Sequence, residues 1–179
     1  MRSAFRYFVK EGKAGRSIWR QATGGGAEGL VADAGATGDF ALGRRGIYFS
    51  VAAPEGGYWG ATSIAFRDFA TGKTTKVVDL KPGTLSGSGL SVSPDGRWIA
   101  YTSNDQGRNE VYVQTFPASG GKWQISTNGG ISPHWRRDGR ELYYVSADNK
   151  LMAVEVTVGA EVKAGTPKEL FSLSGSRAV

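Results

Sequence analysis

The chain has 179 residues and a mass of 19.0 kDa, enough for one ordinary domain or part of a larger one, and too little for several independent catalytic domains. Glycine supplies 27 residues, roughly twice ordinary usage, while 40% of residues are apolar, so the chain is turn-rich and still has a core to bury. The net charge of +6 has no basic run longer than Arg44-Arg45 or Arg136-Arg137, and zero cysteines exclude disulfides, a thiolate nucleophile and cysteine-ligated zinc.

Residues 1–7 carry charge and aromatics where a secretory leader needs an apolar stretch, and nothing approaches the ~18 consecutive apolar residues of a membrane span. Neither a signal peptide nor membrane insertion is expected of this chain. The lack of cysteine leaves the compartment open, and a periplasmic or extracytoplasmic placement is compatible with it. Helical periodicity is nearly absent, since Gly or Pro interrupts most candidate windows. Strand patterns begin at 4–9, 16–21 and 30–32, with Gly24-Gly25-Gly26 as the turn between the last two, and these form a first, partial unit over 1–34. The second unit, 37–82, has strands at 39–42, 46–51, 63–69 and 75–80, with 54–60 read as a loop insertion and 70–73 as a turn. The third, 87–128, has strands at 90–92, 98–102, 109–116 and 122–126. The fourth, 130–173, has strands at 131–135, 141–145, 150–156 and 168–173, and 174–179 is a tail.

The units share landmarks. Asp95-Gly96-Arg97 and Asp138-Gly139-Arg140 lie 43 residues apart and each opens an apolar run; Gly43-Arg44-Arg45-Gly46 holds the place one unit earlier, 50 residues before, the excess falling in the insertion. An Asp-Gly pair between strands predicts a two-residue hairpin turn with positive φ at both central residues. The runs 46–51, 98–102 and 141–145 are apolar throughout, which suits strands covered on both faces of their sheet. Four strands per unit, joined by tight turns at a period near 43, is the pattern of a β-propeller blade.

The tract Ser93-Pro94-Asp95-Gly96-Arg97-Trp98-Ile99-Ala100-Tyr101-Thr102-Ser103, followed by Asn109-Glu110-Val111-Tyr112-Val113 and the Gly120-Gly121 turn, resembles the WD-repeat-like blades of TolB-type β-propellers. The likeness covers 39–173 well and 4–34 loosely, and departs from the pattern at Arg136-Arg137 and at Gly43-Arg44-Arg45-Gly46. Residues 46–79 also look like blades attached to bacterial serine/threonine protein kinases and winged-helix regulators. The resemblance implies an all-β fold, a propeller arc of about four blades, each a four-stranded antiparallel meander, that senses or binds. Such propellers have six to eight blades, so the resemblance further implies an arc with bare edges that is the carboxyl-terminal part of a longer propeller, that associates with a second copy, or that closes by itself; the first is expected here because Met1 opens in mid-blade.

Catalytic constellations do not emerge. Gly24-x-Gly26-x-x-Gly29 matches a dinucleotide fingerprint by letters but enters a strand where that motif needs a helix, and no serine sits in a nucleophile elbow. Asp105, Asp138 and Asp148 offer carboxylates near turns, better explained by turn hydrogen bonds than by calcium, so no metal and no cofactor is expected. The sole histidine, His134, either faces a channel or packs on the neighbouring indole of Trp135, the latter being the simpler reading, while Trp98 and Trp123 fit inter-blade packing. Tyr58 and Trp59, in the insertion, form an aromatic pair suited to a contact surface. The expected function is non-catalytic recognition of a protein or peptide partner, or of a small ligand, through Tyr58, Trp59, His134, Arg136 and Arg137, as the sensor of a bacterial signalling protein. Nucleic acid is not an expected partner. The alternative is the substrate-gating propeller of a prolyl-oligopeptidase-like hydrolase, or a piece of a propeller lyase or glycosidase.

Overall fold

The structure is a computed structural model that describes residues 4–12, 15–52, 61–80, 89–117, 121–159 and 161–173. Every regular element among them is a strand, so no helix there is long and apolar enough to cross a membrane. Six strands, β1 (Phe5–Gly12), β2 (Gly15–Ala22), β3 (Gly29–Leu42), β4 (Gly46–Ala52), β5 (Ala61–Asp68) and β6 (Thr74–Asp79), pair antiparallel in chain order as one sheet. A second sheet holds β7 (Leu90–Val92), β8 (Trp98–Ser103), β9 (Glu110–Thr115) and β10 (Lys122–Gln124). The third holds β11 (Gly130–Trp135), β12 (Glu141–Ser146) and β13 (Lys150–Val158), with β14 (Val162–Ala164) and β15 (Lys168–Ser172) both paired to β13.

The division expected between 1–34 and 37–82 falls inside β3. Its first part pairs with β2 (Ile18↔Ala32) and its last with β4 (Phe40↔Phe49), the two pairings meeting at Ala36. The tract Ala34-Gly35-Ala36-Thr37-Gly38 has no proline to end a strand, so the backbone ladder runs through it. In the last unit the expected fourth strand is β15, paired with Lys150–Ala153, and an additional short strand, β14, pairs with Val156–Val158 ahead of it, with Pro167, lacking an N–H, between the two.

The turns follow one recipe, and it corrects the two-residue reading. Positive φ occurs at Gly96 (76°) and Gly139 (72°) but not at Asp95 or Asp138. Gly96 N–H donates to Ser93 O at 2.8 Å and Gly139 N–H to Arg136 O at 2.9 Å, closing four-residue turns with glycine as the left-handed fourth residue. The aspartates serve as acceptors instead: Asp95 Oδ1 takes the Arg97 N–H at 3.1 Å, and Asp138 Oδ1 the Arg140 N–H at 3.0 Å. In the same way, Gly24 to Gly29 form the β2–β3 connection, where Gly25 N–H donates to Ala22 O at 2.9 Å and no helix follows.

Alternation along the strands distributes side chains between the two faces of each sheet, and consecutive sheets stack face to face. Ile99, Tyr101 and Tyr112 pack on Tyr48, Ile64 and Phe66 of the first sheet, while Trp98, Ala100, Val111 and Val113 pack on Trp135, Leu142, Tyr144 and Val154 of the third. Trp98 meets Trp123 edge-on at 5.8 Å within that second cluster. A third cluster joins Ile18, Val31 and Ala32 to Ile47, Phe49 and Ala65. Sheets that each present one face to the next, in chain order, make an arc of a β-propeller. The runs in β4 and β8 are therefore covered on both faces, as their composition predicts. That in β12 is not: Leu142 and Tyr144 are buried, while Tyr143 and Val145 on the other face are only half-buried, since no other sheet among the described residues packs on that face.

Candidate functional site

The outer face of the third sheet is built by register. Glu141 lies opposite Glu155, Tyr143 opposite both Ala153 and His134, and Val145 opposite both Leu151 and Ile131. Arg136 follows β11 in the turn and reaches back, its Nη1 donating to Glu141 Oε2 at 2.8 Å and its Nε lying 3.4 Å from Asp138 Oδ2. The Tyr143 hydroxyl donates to the same Glu141 Oε2 at 2.9 Å. Glu155 is approached by Lys168 Nζ at 3.7 Å. Two adjoining hollows of about 550 and 210 Å³ share Glu141 and Glu155; the larger extends past Arg136, Asp138 and Arg140, the smaller past Ala153 and Lys168.

The electrostatics of this groove follow from those bonds. Hydrogen bonds from Tyr143 and from Arg136 hold the Glu141 carboxyl below the usual carboxylate range. The Tyr143 phenol is pushed up in turn, chiefly because its proton is committed to Glu141, and the Arg136 guanidinium is pushed up by Glu141 and Asp138. An ionised carboxylate fixed by two donors and flanked by paired cations suits charge-assisted hydrogen bonding.

Of the sequence candidates, Arg136 lines the groove and His134 stands on the same face beside Tyr143. His134 is exposed, and strand alternation turns it away from the buried Trp135, so the reading in which the imidazole packs on that indole is corrected. Arg137 is exposed on the same turn outside the groove lining. Tyr58 and Trp59, with the insertion 54–60, lie outside the described residues. Asp105 and Asp148 are engaged locally: Ser103 Oγ donates to Asp105 at 2.8 Å and Ser146 Oγ to Asp148 at 2.6 Å, while Lys122 and Lys150 form ion pairs with them. Among the described residues no group of three or more His, Asp or Glu side chains is placed to hold a metal ion.

Glu141, Tyr143, Glu155 and Lys168 were not singled out by sequence. A usable signal existed for the first two: in the strand Glu141-Leu142-Tyr143-Tyr144-Val145, alternation puts positions 141 and 143 together on one face, opposite Leu142 and Tyr144.

No protein-family model matches the sequence, and no curated protein does. Solved structures are similar in fold. TolB from Acinetobacter baumannii superposes with a TM-score of 0.68 at 16% identity, over 90% of this chain and 41% of that one. A TolB-designated protein from Agrobacterium tumefaciens gives 0.72 at 17% identity, over 94% of this chain and 61% of its own. The tricorn protease gives 0.58 at 14% identity over 84% of this chain and 17% of its own. The chain thus spans about half the length of the two TolB structures, and at these identities the likeness is one of fold. With its stacked antiparallel sheets, the chain has the fold of a TolB-type β-propeller, of which it forms an arc.

Proposed function

We propose that this chain is a non-catalytic recognition module, a rigid arc of blades whose terminal groove receives a protein or peptide partner. The observation that carries this reading is the groove on the outer face of β11–β15, where paired charges surround two hollows on a sheet face that no other part of the described chain covers. Glu141 is kept ionised by two donors, so near neutral pH it has no proton to give and acts as an acceptor. The strands fix these side chains while the turns beside them vary in composition, which is how rigid scaffolds carry binding sites. His134 and Arg137 border the groove and extend its contact surface; a small polar ligand would use the same groups. Attached to a bacterial signalling domain, such a module would act as its sensor.

The test is to pan a displayed random-peptide library on the immobilised chain and measure each enriched peptide against the wild type and an Arg136→Ala/Glu141→Gln variant. Enriched peptides should lose about tenfold in affinity on the variant, equivalent to about 1.4 kcal/mol. Enrichment that ignores the variant, or turnover of ester or peptide reporters that is lost in it, would refute the reading.

A further inference from the structure

Three pairs in the chain set a short carbonyl side chain before glycine: Asp95-Gly96, Asn128-Gly129 and Asp138-Gly139. In such a pair the glycine nitrogen can close a ring onto the preceding side-chain carbonyl carbon, because glycine has no Cβ to hinder the approach. A carboxylate repels that nucleophile by its charge and the neutral amide of Asn128 does not, so the middle pair is the reactive one. Asn128 is exposed, and its side chain has no hydrogen bond among the described residues. Gly129 is buried at φ 93°, where a Cβ would lie 2.8 Å from Ala147 Cβ, so the fold itself requires glycine after Asn128.

The backbone on either side of Asn128 is clasped by β9 and the turn before it. Arg108 Nη2 donates to Thr127 O at 3.0 Å, Gly130 N–H to Asn109 O at 2.9 Å, and Gly129 N–H to Glu110 Oε1 at 2.9 Å. Glu110 is itself 1% exposed and fixed, with Arg108 Nε at 2.8 Å on the same oxygen and Ser126 Oγ on the other. The Asn128–Gly129 peptide is trans, so its N–H lies on the same side as Asn128 Cα. In the cyclic imide, the bond from nitrogen to Asn128 Cγ takes the place of that N–H. Glu110 Oε1 now stands there, and the ring cannot close until the Gly129–Glu110 bond opens.

We propose that Asn128–Gly129 is a self-modification site for which Glu110 is the latch. Once the latch opens, the Gly129 nitrogen gives its proton to water and bonds Asn128 Cγ, and the side-chain amide nitrogen takes up a proton and leaves as ammonia. Water then adds to either imide carbonyl and breaks its bond to the ring nitrogen. Hydrolysis at one carbonyl leaves aspartate, and at the other isoaspartate, whose main chain is longer by a methylene. Water enters, ammonia leaves and nothing is oxidised or reduced. The added methylene falls between Thr127 and Gly129, both held in place, so isoaspartate loosens the link from the second sheet to the third.

Peptide mapping by mass spectrometry of the whole chain, incubated at neutral pH with and without urea, tests the proposal, with isoaspartate detected by enzymatic methyl transfer. Giving up a charge-assisted hydrogen bond should make the folded chain react roughly 10- to 100-fold more slowly than the unfolded one. Glu110→Gln, which keeps the shape and removes the charge, should speed the folded reaction several-fold. Asn128→Gln, which needs a larger ring, should abolish it. No product at residue 128 in either state, or product persisting in Asn128→Gln, would overturn the site, and equal rates in the two states would overturn the latch. Slower reaction in a folded Glu110→Gln chain would overturn the latch as well, because the carboxylate would then be the base that takes the Gly129 proton. If circular dichroism shows Glu110→Gln unfolded, the ratio of folded to unfolded rates in the wild type decides the matter by itself.

Discussion

Gly89 and Gly96 make a matched pair for testing how closely the blades approach at their inner strands. Gly89 has φ +92°, and a Cβ there would lie 2.7 Å from Ser132 Cα on the next blade. Gly96 has φ +76° with nothing within 4 Å of its Cβ position. Alanine at either site pays for a left-handed backbone, about 1–2 kcal/mol, and gains a few tenths to 1 kcal/mol from a stiffer unfolded chain, so these terms cancel in the comparison. What remains at Gly89 is the collision. The atom struck is backbone, in a residue itself at φ 55° within the β11 bulge, and Trp135 N–H is tied to Ser91 Oγ at 3.0 Å, so the two strands cannot part without losing that bond. Overpacking of this kind costs about 1–3 kcal/mol. Gly89→Ala should therefore be less stable than Gly96→Ala by that amount, about 2–4 °C in Tm per kcal/mol for a chain of this size. Urea unfolding followed by tryptophan fluorescence, with unchanged slope, gives the difference directly. Equal midpoints for the two variants would refute the close approach of β7 to β11 and the blade stacking built on it.

Two further outcomes follow from buried polar groups. Glu110 is 1% exposed and accepts from Gly129 N–H at 2.9 Å and Arg108 Nε at 2.8 Å, with Ser126 Oγ on its other oxygen, so it ties β9 to the link between the second and third sheets. Glu110→Ala should cost about 2–4 kcal/mol by urea unfolding, because a buried N–H loses its acceptor, and a loss under 1 kcal/mol would contradict that role. Burial pushes the Tyr48 and Tyr101 phenols well above their ordinary range, and Asp105 adds to the effect at Tyr101. A raised folded-state value for an acid means that the neutral form is favoured by folding. The stability it contributes is complete below about pH 10 and falls as pH rises past that value. Phenolate absorbance should show these two among the seven tyrosines ionising only as the chain unfolds, and all seven titrating together in the folded state would be the contrary result.

Much of the architecture is legible because it is local. Asp95-Gly96 and Asp138-Gly139 mark turns whatever the surroundings, and the apolar strands between them announce sheets covered on both sides. The detailed turn geometry was less legible, since the same dipeptide serves a two-residue hairpin or a longer turn, and only the hydrogen bonds to Ser93 and Arg136 distinguish them. The groove is harder still. Glu141 and Glu155 are 14 residues apart and meet because the β12–β13 turn, with Asn149 at φ 61°, sets the register. A slip of one residue would send one of them to the other face, so no count of charges along the chain locates the site.

The same dependence on neighbours explains why composition misjudged β12. A strand's apolar run reports how many faces are covered in the assembled state, and β4, β8 and β12 have nearly the same composition. Two of them are covered twice and one only once. Tyr143 and Val145 lie on the face of β12 that no other sheet among the described residues covers, and the Phe8–Trp19–Leu30 row lies on the corresponding face of the first sheet. A strand's apolar content is therefore set by its place in the sheet, and the same run reads alike whether one of its faces or both are covered by the described chain.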